Sequence, residues 1–186
     1  MIYIETEGAL NIQLLEKIAK RFGADLNALV DRLTTTQATD VLDVKEILLS
    51  LFKQPVDLVV TDSFVSHALR AQFRGRERLA ARQQFLAYLL DVLRRAGRVY
   101  GTASILTDQV IDVPSFFSDK RPAGGNILLH GAYAVFLMYR NTKKDIKGEM
   151  RPLDVPGMAP DVKIAYTKRR RTLLALSANT AVSTKR

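Results

Sequence analysis

The sequence predicts an α/β fold: a mainly parallel sheet with helices on both faces and an antiparallel C-terminal extension. Three observations predict it. Two short apolar runs, Leu58 to Val60 and Ala103 to Leu106, flank a long amphipathic helix, which is the strand, helix, strand alternation of a parallel sheet. Another strand-like run, Ile2-Tyr3-Ile4, opens the chain ahead of three helical patterns. Later segments, residues 133–139, 149–155 and 162–167, are short, β-rich and separated by Gly, Pro and charged turns, which suits antiparallel pairing.

Each element has its own signal. Ile2 to Ile4 is core-like from the initiator onward, and because chain termini usually hold a few loosely ordered residues, this hints at a fold that began further upstream. Ile12, Leu15, Ile18, Ala19 and Phe22 have helical spacing, and Gly23 follows where a C-cap glycine sits. Leu26 to Leu33 reads as a second helix. Val41 to Phe52 reads as a third, with Val44, Ile47, Leu48 and Leu51 inward, ended by Pro55. The long helix is expected over Arg70 to Arg95, with Leu79, Leu86, Leu89, Leu90 and Leu93 as its core face. No internal repeat or low-complexity segment is present.

At 186 residues and 47% hydrophobic content the chain suits one domain with a core. It has no cysteine, so disulfides and thiolate metal sites are excluded, and the separation of His67 from His130 argues against a histidine zinc site. A cytosolic setting is compatible with this. No signal peptide is expected, and no apolar run reaches the roughly 20 residues that span a bilayer. The net charge of +9 is focused. Residues 1–62 carry 6 basic and 10 acidic side chains, or −4; residues 67–100 carry 8 and 2, or +6; residues 140–171 carry 10 and 4, or +6. The plain alternative is excess charge that aids solubility.

The chemistry concentrates at one junction. Leu58-Val59-Val60-Thr61-Asp62-Ser63 is a buried strand that delivers a carboxylate at its C-terminal end, the place where open α/β sheets present acids to a ligand or metal. Glu7 and Gln109 follow other strands, so three polar side chains converge on one crevice. Asp62 has the alternative fates of capping the next helix or pairing with a lysine. Arg70, Arg74, Arg76, Arg78 and Arg82 gather at or before the start of the long helix. There, at the positive end of the macrodipole, each cation loses roughly 0.3 to 1 kcal/mol, and phosphate gripped by arginine forks and helix N–H groups supplies a compensating reason. A solvated loop of stacked arginines is the alternative.

Over about residues 1–167 these segments together resemble the RecA/RadA recombinases, specifically the archaeal and eukaryotic branch. Tyr3-Ile4-Glu5-Thr6-Glu7-Gly8 resembles the strand whose glutamate activates water, and Val59 to Ser63 the Walker B strand. Ser66-His67 through Leu79-Ala80-Ala81-Arg82-Gln83-Gln84 is similar to the first DNA-binding loop and its helix. Thr107-Asp108-Gln109-Val110 resembles the segment whose glutamine senses the γ-phosphate, with Asp108 where the family usually has asparagine. Residues 111–125, closing with Pro122-Ala123-Gly124-Gly125-Asn126, resemble the second DNA-binding loop, and Asp154-Val155-Pro156 the segment that caps ATP on a neighbouring subunit. The resemblance therefore implies a RecA-like P-loop NTPase core, truncated on its N-terminal side, over residues 1–167; residues 168–186, from Lys168-Arg169-Arg170-Arg171 into a Ser/Thr/Ala tail, leave the family pattern and read as a basic, flexible tail. It implies Glu7 and Gln109 in catalysis, and Asp62, Asp154 and Pro156 at nucleotide, with Asp62 in the magnesium shell. It implies Arg70, Arg74, Arg76, Arg82, Gly124 and Gly125 at DNA.

One departure decides between functions. Binding a triphosphate through G-x-x-x-x-G-K-[ST] needs a Gly-Lys dipeptide, and the chain has none. ATP and magnesium, which the resemblance implies as cofactors, thus lack their main grip here. Three readings follow: a DNA-binding recombinase-like protein of recombination and repair without independent ATPase activity, split or paralogous; the C-terminal part of a full DNA-dependent ATPase catalysing strand exchange; or a basic scaffold with a relic ATPase fold. The expected partners are single-stranded DNA and recombinase subunits, with no membrane, in the cytoplasm at the nucleoid or, in a eukaryote, in the nucleus.

Overall fold

The structure is a computed structural model that describes residues 1–113, 119–140, 147–159, 161–169 and 172–175. It divides into two compact units: Met1–Leu15 with Asp25–Ala132, and Glu16–Ala24 with the described residues from Tyr133 onward.

The first unit is built on a four-stranded sheet of order β2-β1-β3-β4, where β1 is Ile2–Glu5, β2 Thr34–Gln37, β3 Leu58–Asp62 and β4 Ala103–Leu106. All three pairings are parallel, as expected. Between the strands come α1 (Ile12–Arg21), α2 (Leu26–Asp31) and α3 (Val41–Ser50), then α4 (His67–Gln72) and α5 (Leu79–Tyr100). Strand β2 was not anticipated. Its sequence, Thr-Thr-Thr-Gln, offers no apolar alternation, yet β-branched threonines suit a pleated backbone at the sheet edge.

The strands alternate as the pleat requires. Ile4, Val59 and Thr61 are fully buried on one face, joining a core with Val41, Val44, Leu48 and Leu51 of the α3 segment and Leu86, Leu89, Val92 and Leu93 of α5. Helix α3 starts sharply because Asp40 and Asp43 form a reciprocal capping box, with Asp40 accepting from the backbone N–H groups of Leu42 and Asp43. Helix α5 ends at Gly101, whose φ of 72° only glycine adopts readily. In α1 the anticipated stripe is weakly covered: Ala19 is buried, whereas Ile12 and Phe22 are exposed.

The single helix expected from Arg70 to Arg95 is broken. Helix α4 stops at Gln72, Gly75 takes a φ of 98°, and a 3₁₀ turn over Arg76–Arg78 leads into α5. The break also removes Leu79 from the core face to which it was assigned: it lies at the first residue of α5 and is 46% exposed. Past β4, Val110–Val113 (β5) and Asp119–Pro122 (β6) pair antiparallel as the stem of the expected second loop, whose residues 114–118 lie outside the described residues. Helix α6, Asn126–Gly131, follows.

The second unit carries the antiparallel extension, order β10-β9-β8-β7, from β7 (Val135–Arg140), β8 (Lys147–Asp154), β9 (Ile164–Arg169) and β10 (Thr172–Ala175). Strand β9 continues through Lys168 and Arg169, and β10 falls in the segment read as tail; residues 170–171 and 176–186 lie outside the described residues.

These burials set a contrast. Leu86→Ala, at a fully buried position, is expected to cost about 2–5 kcal/mol in urea unfolding, while Leu79→Ala stays within roughly 0.5 kcal/mol.

Candidate functional site

Parallel register aligns the C-terminal ends of β1, β3 and β4 at one rim. Glu5 lies beside Asp62, and Thr61 beside Leu106. The ladder continues past the strands: Thr6 N–H donates to Asp62 O at 2.9 Å, Thr107 N–H to Thr61 O at 3.1 Å, and Phe64 N–H to Thr107 O at 2.8 Å. Backbone pairing therefore fixes where Glu7, Asp62 and residues 107–109 emerge.

The rim holds two polar groups of different composition. In the first, Asp62 accepts from the Tyr3 hydroxyl at 2.7 Å and, through its other oxygen, from the Thr107 hydroxyl. Tyr3 shares the strand face of Asp62 by period-two alternation. Burial, together with the hydrogen bond to Asp62 and its charge, pushes the Tyr3 phenol up to about 12. Asp62 does not cap α4, which Ser66 does, and among the described residues it pairs with no lysine.

In the second group Glu7 and Gln109 meet directly. The Gln109 amide Nε2 donates to Glu7 at 2.9 Å, and its carbonyl accepts from an Arg70 terminal nitrogen at 2.8 Å. The other terminal nitrogen of Arg70 lies 3.5 Å from Glu7 and 3.0 Å from His67 Nδ1. The α4 segment that carries Arg70 is anchored by buried Leu69 and by Phe73, which packs on Phe85 with ring centroids 5.8 Å apart.

Asp108 reaches the other way. Its carboxylate accepts from Gly124 N–H at 2.9 Å and from Gln109 N–H at 2.8 Å, while Ala123 N–H donates to Gln109 O at 2.8 Å. The base of the β5–β6 hairpin is thereby pinned to the rim. Burial pushes the Asp108 carboxyl up to about 6, against the pull of these two N–H groups and of Arg70. Gly124 is closely packed: a Cβ there would run into the Leu128 side chain, which would have to shift. Gly125 has a φ of 64° and begins α6.

Among the anticipated DNA residues, Arg74 and Arg76 are exposed on the linker between α4 and α5, beside Arg78, which donates to the Gln72 carbonyl at 3.1 Å. Arg82 is half-buried, and its Nε has no hydrogen-bond partner among the described residues. Asp154 and Pro156 belong to the second unit, at the end of β8 and in the turn after it, and both are exposed. Sequence reasoning missed Tyr3, Thr107 and His67 as partners within these groups. Strand alternation pointed to Tyr3, and the i, i+3 spacing from Arg70 on α4 pointed to His67; nothing in the linear pattern pointed to Thr107.

The described residues contain no group of three or more His, Cys, Asp and Glu side chains fit to hold a metal. Asp62 offers one carboxylate already engaged by two hydroxyls, and no Gly-Lys cradle exists. This set does not fit an independent magnesium-triphosphate site. None of the described helices is long and apolar enough to cross a membrane.

The Rad51 family model matches residues 1–166. The chain is 34% identical over 165 residues to the meiotic recombination protein DMC1 homolog of Arabidopsis thaliana, covering 84% of this chain and 47% of that protein. It is 38% identical over 157 residues to the DMC1 homolog of Lilium longiflorum, covering 80% and 43%. Against the DNA repair and recombination protein RadA of Ignicoccus hospitalis it is 38% identical over 135 residues, covering 69% and 41%. The chain thus spans less than half the length of these curated relatives.

Asp108 gives a pH test. With its carboxyl raised from 3.8 to about 6, keeping it ionised in the fold costs stability; the cost is absent below the lower value, grows between the two and stays constant above. Over that window the protein is expected to lose about 1–2 kcal/mol on this account, after allowing for the solvent that reaches the group. Asp108→Asn exchanges one acceptor for a constant offset and should lack that loss, seen as a flatter profile of unfolding free energy against pH.

Proposed function

Because the chain belongs to the Rad51 family and has the RecA-like α/β core, we propose that it is a DNA-binding, recombinase-like protein of homologous recombination and repair without independent ATPase activity. The observation that supports this most is the arginine-rich linker: Arg74, Arg76 and Arg78 are exposed on the segment that follows α4, the helix whose Arg70 joins Gln109 and Glu7, in a chain with no Gly-Lys cradle. Guanidinium groups presented together suit a phosphate backbone. Single-stranded DNA is the proposed ligand, with Arg82, Gly124 and Gly125 shaping its path.

A second reading is favoured by one fact, that the chain covers 41–47% of these relatives. In it, this is the C-terminal part of a full DNA-dependent ATPase, and ATP and magnesium are gripped by residues outside this sequence. Glu7 would then orient water, Gln109 would sense phosphate, and Asp62 would join the magnesium shell. In either reading Asp154 and Pro156 would cap ATP carried by a neighbouring recombinase subunit. Residues 1–167 would act as the core and 168–186 as a basic tail, with the protein in the compartment that holds the DNA.

Nucleotide and single-stranded DNA binding measured on one preparation test the proposal. DNA binding without nucleotide binding is expected for this chain alone; absence of DNA binding at low salt would sink the proposal. Replacing Arg74, Arg76 and Arg78 together by alanine should lower the slope of log affinity against log salt by about 2, three contacts at roughly 0.7 each.

A further inference from the structure

Glu7 and Gln109 sit where the family comparison expects chemistry, yet both are held by a side chain from the arginine-rich segment. We infer that Arg70 is a releasable clamp: its guanidinium holds Glu7 and Gln109 in the arrangement seen here and gives them up when a nucleic-acid phosphate takes it. This rests on the DNA-binding reading above and adds a device to it.

The geometry supplies the first argument. One terminal nitrogen of Arg70 donates to Gln109 at 2.8 Å, and the other faces Glu7 at 3.5 Å and His67 at 3.0 Å. That paired edge of the guanidinium is the one a phosphate takes in a bidentate grip. A guanidinium has one positive charge, and here both of its terminal nitrogens are taken by Gln109, Glu7 and His67, so a phosphate that grips the Nη1/Nη2 edge competes with the Glu7–Gln109 pair for it.

Charge supplies the second. Glu7 and Asp108 both feel Arg70. A phosphate arriving at this edge would be a third anion around one cation, and the ion pair with Glu7 is the contact it can displace, since Asp108 is anchored by two backbone N–H groups. The side chain of Arg70 is 28% exposed, which leaves it within reach of a ligand drawn in by Arg74, Arg76 and Arg78. Arg70 is a positioning residue here: it acts on Glu7 through contact and on DNA through release.

The third argument is anchoring. Buried Leu69 and the Phe73–Phe85 contact hold α4, so Arg70 can change partners by side-chain rotation while the helix stays in place. Gln109 is then freed at the base of the hairpin that Asp108 and Ala123 hold to the rim.

The test uses the full chain and oligo-dT. Glu7→Gln weakens the hold on Arg70, removes the competing charge, and is expected to tighten oligo-dT binding by about three- to tenfold, because less of the protein starts in the clamped state. Glu46→Gln, an exposed acid on α3, corrects for net charge and should change affinity less than about twofold. In the Arg70→Lys background, which keeps the charge and loses the fork, the gain from Glu7→Gln should disappear. The Gln109 side-chain amide signal in a nitrogen-15 spectrum should move on adding oligo-dT to the wild type and stay in place in Arg70→Lys. If Glu7→Gln does no more than Glu46→Gln while the wild type binds oligo-dT, the clamp is overturned and the DNA reading stands. If the wild type does not bind oligo-dT, the DNA reading fails. Inorganic tripolyphosphate then decides the clamp, because a Gln109 amide signal unmoved by it overturns the inference.

Discussion

Strand β3 is hydrogen-bonded on both sides in parallel register, to β1 and to β4, and this constraint places every polar group of the rim. Parallel pairing sends all three C-terminal ends to the same side, and the ladder continues through Thr6, Thr107 and Phe64 beyond the strands themselves. A slip of one residue in β3 would bury Asp62 and expose Val59, exchanging a solvated carboxylate for a core valine. The fully buried Ile4, Val59 and Thr61 thus hold the register, and the rim chemistry is a by-product of what the core demands.

Adjacent residues then divide the work. Asp108 reaches to Gly124 and the hairpin base, while Gln109 reaches to Glu7 and Arg70. Segments far apart in sequence, β1, α4 and the hairpin stem, are linked through two consecutive side chains after β4. Asp108 bears the cost of this arrangement as a charge held in poor solvation, whereas Gln109, being neutral, bridges an acid and a base with one donor and one acceptor.

Much of this was legible in the chain. The apolar runs gave β1, β3 and β4, and glycine and proline marked the ends of α1 and α3; of the three side chains expected to converge, Glu7 and Gln109 meet, while Asp62 is engaged by Tyr3 and Thr107 instead. The failures have physical causes. Thr34–Gln37 is an edge strand without a buried face, so it lacks the alternation that reveals strands. The helix expected from Arg70 was broken by Gly75, a position whose φ of 98° no periodicity reports. Leu79 fits the heptad-like stripe of α5 but lies at its first residue, beyond the covering layer. Thr107 entered the rim through long-range pairing with Asp62, which a linear pattern does not encode, whereas Tyr3 follows from strand alternation and His67 from its place three residues before Arg70 on α4.

The bond between Tyr3 and Asp62 also has an optical consequence. The chain holds six tyrosines and no tryptophan, so its near-ultraviolet absorption is dominated by phenols. Burial first, then the hydrogen bond to Asp62 and its charge, push the Tyr3 phenol from 10.0 up to about 12. Its titration is therefore an intrinsic indicator for the rim: a cation or protein group that drew Asp62 away would remove the hydrogen bond and the charge and lower the Tyr3 phenol part of the way, burial keeping it raised, and so report on the carboxylate without any added label.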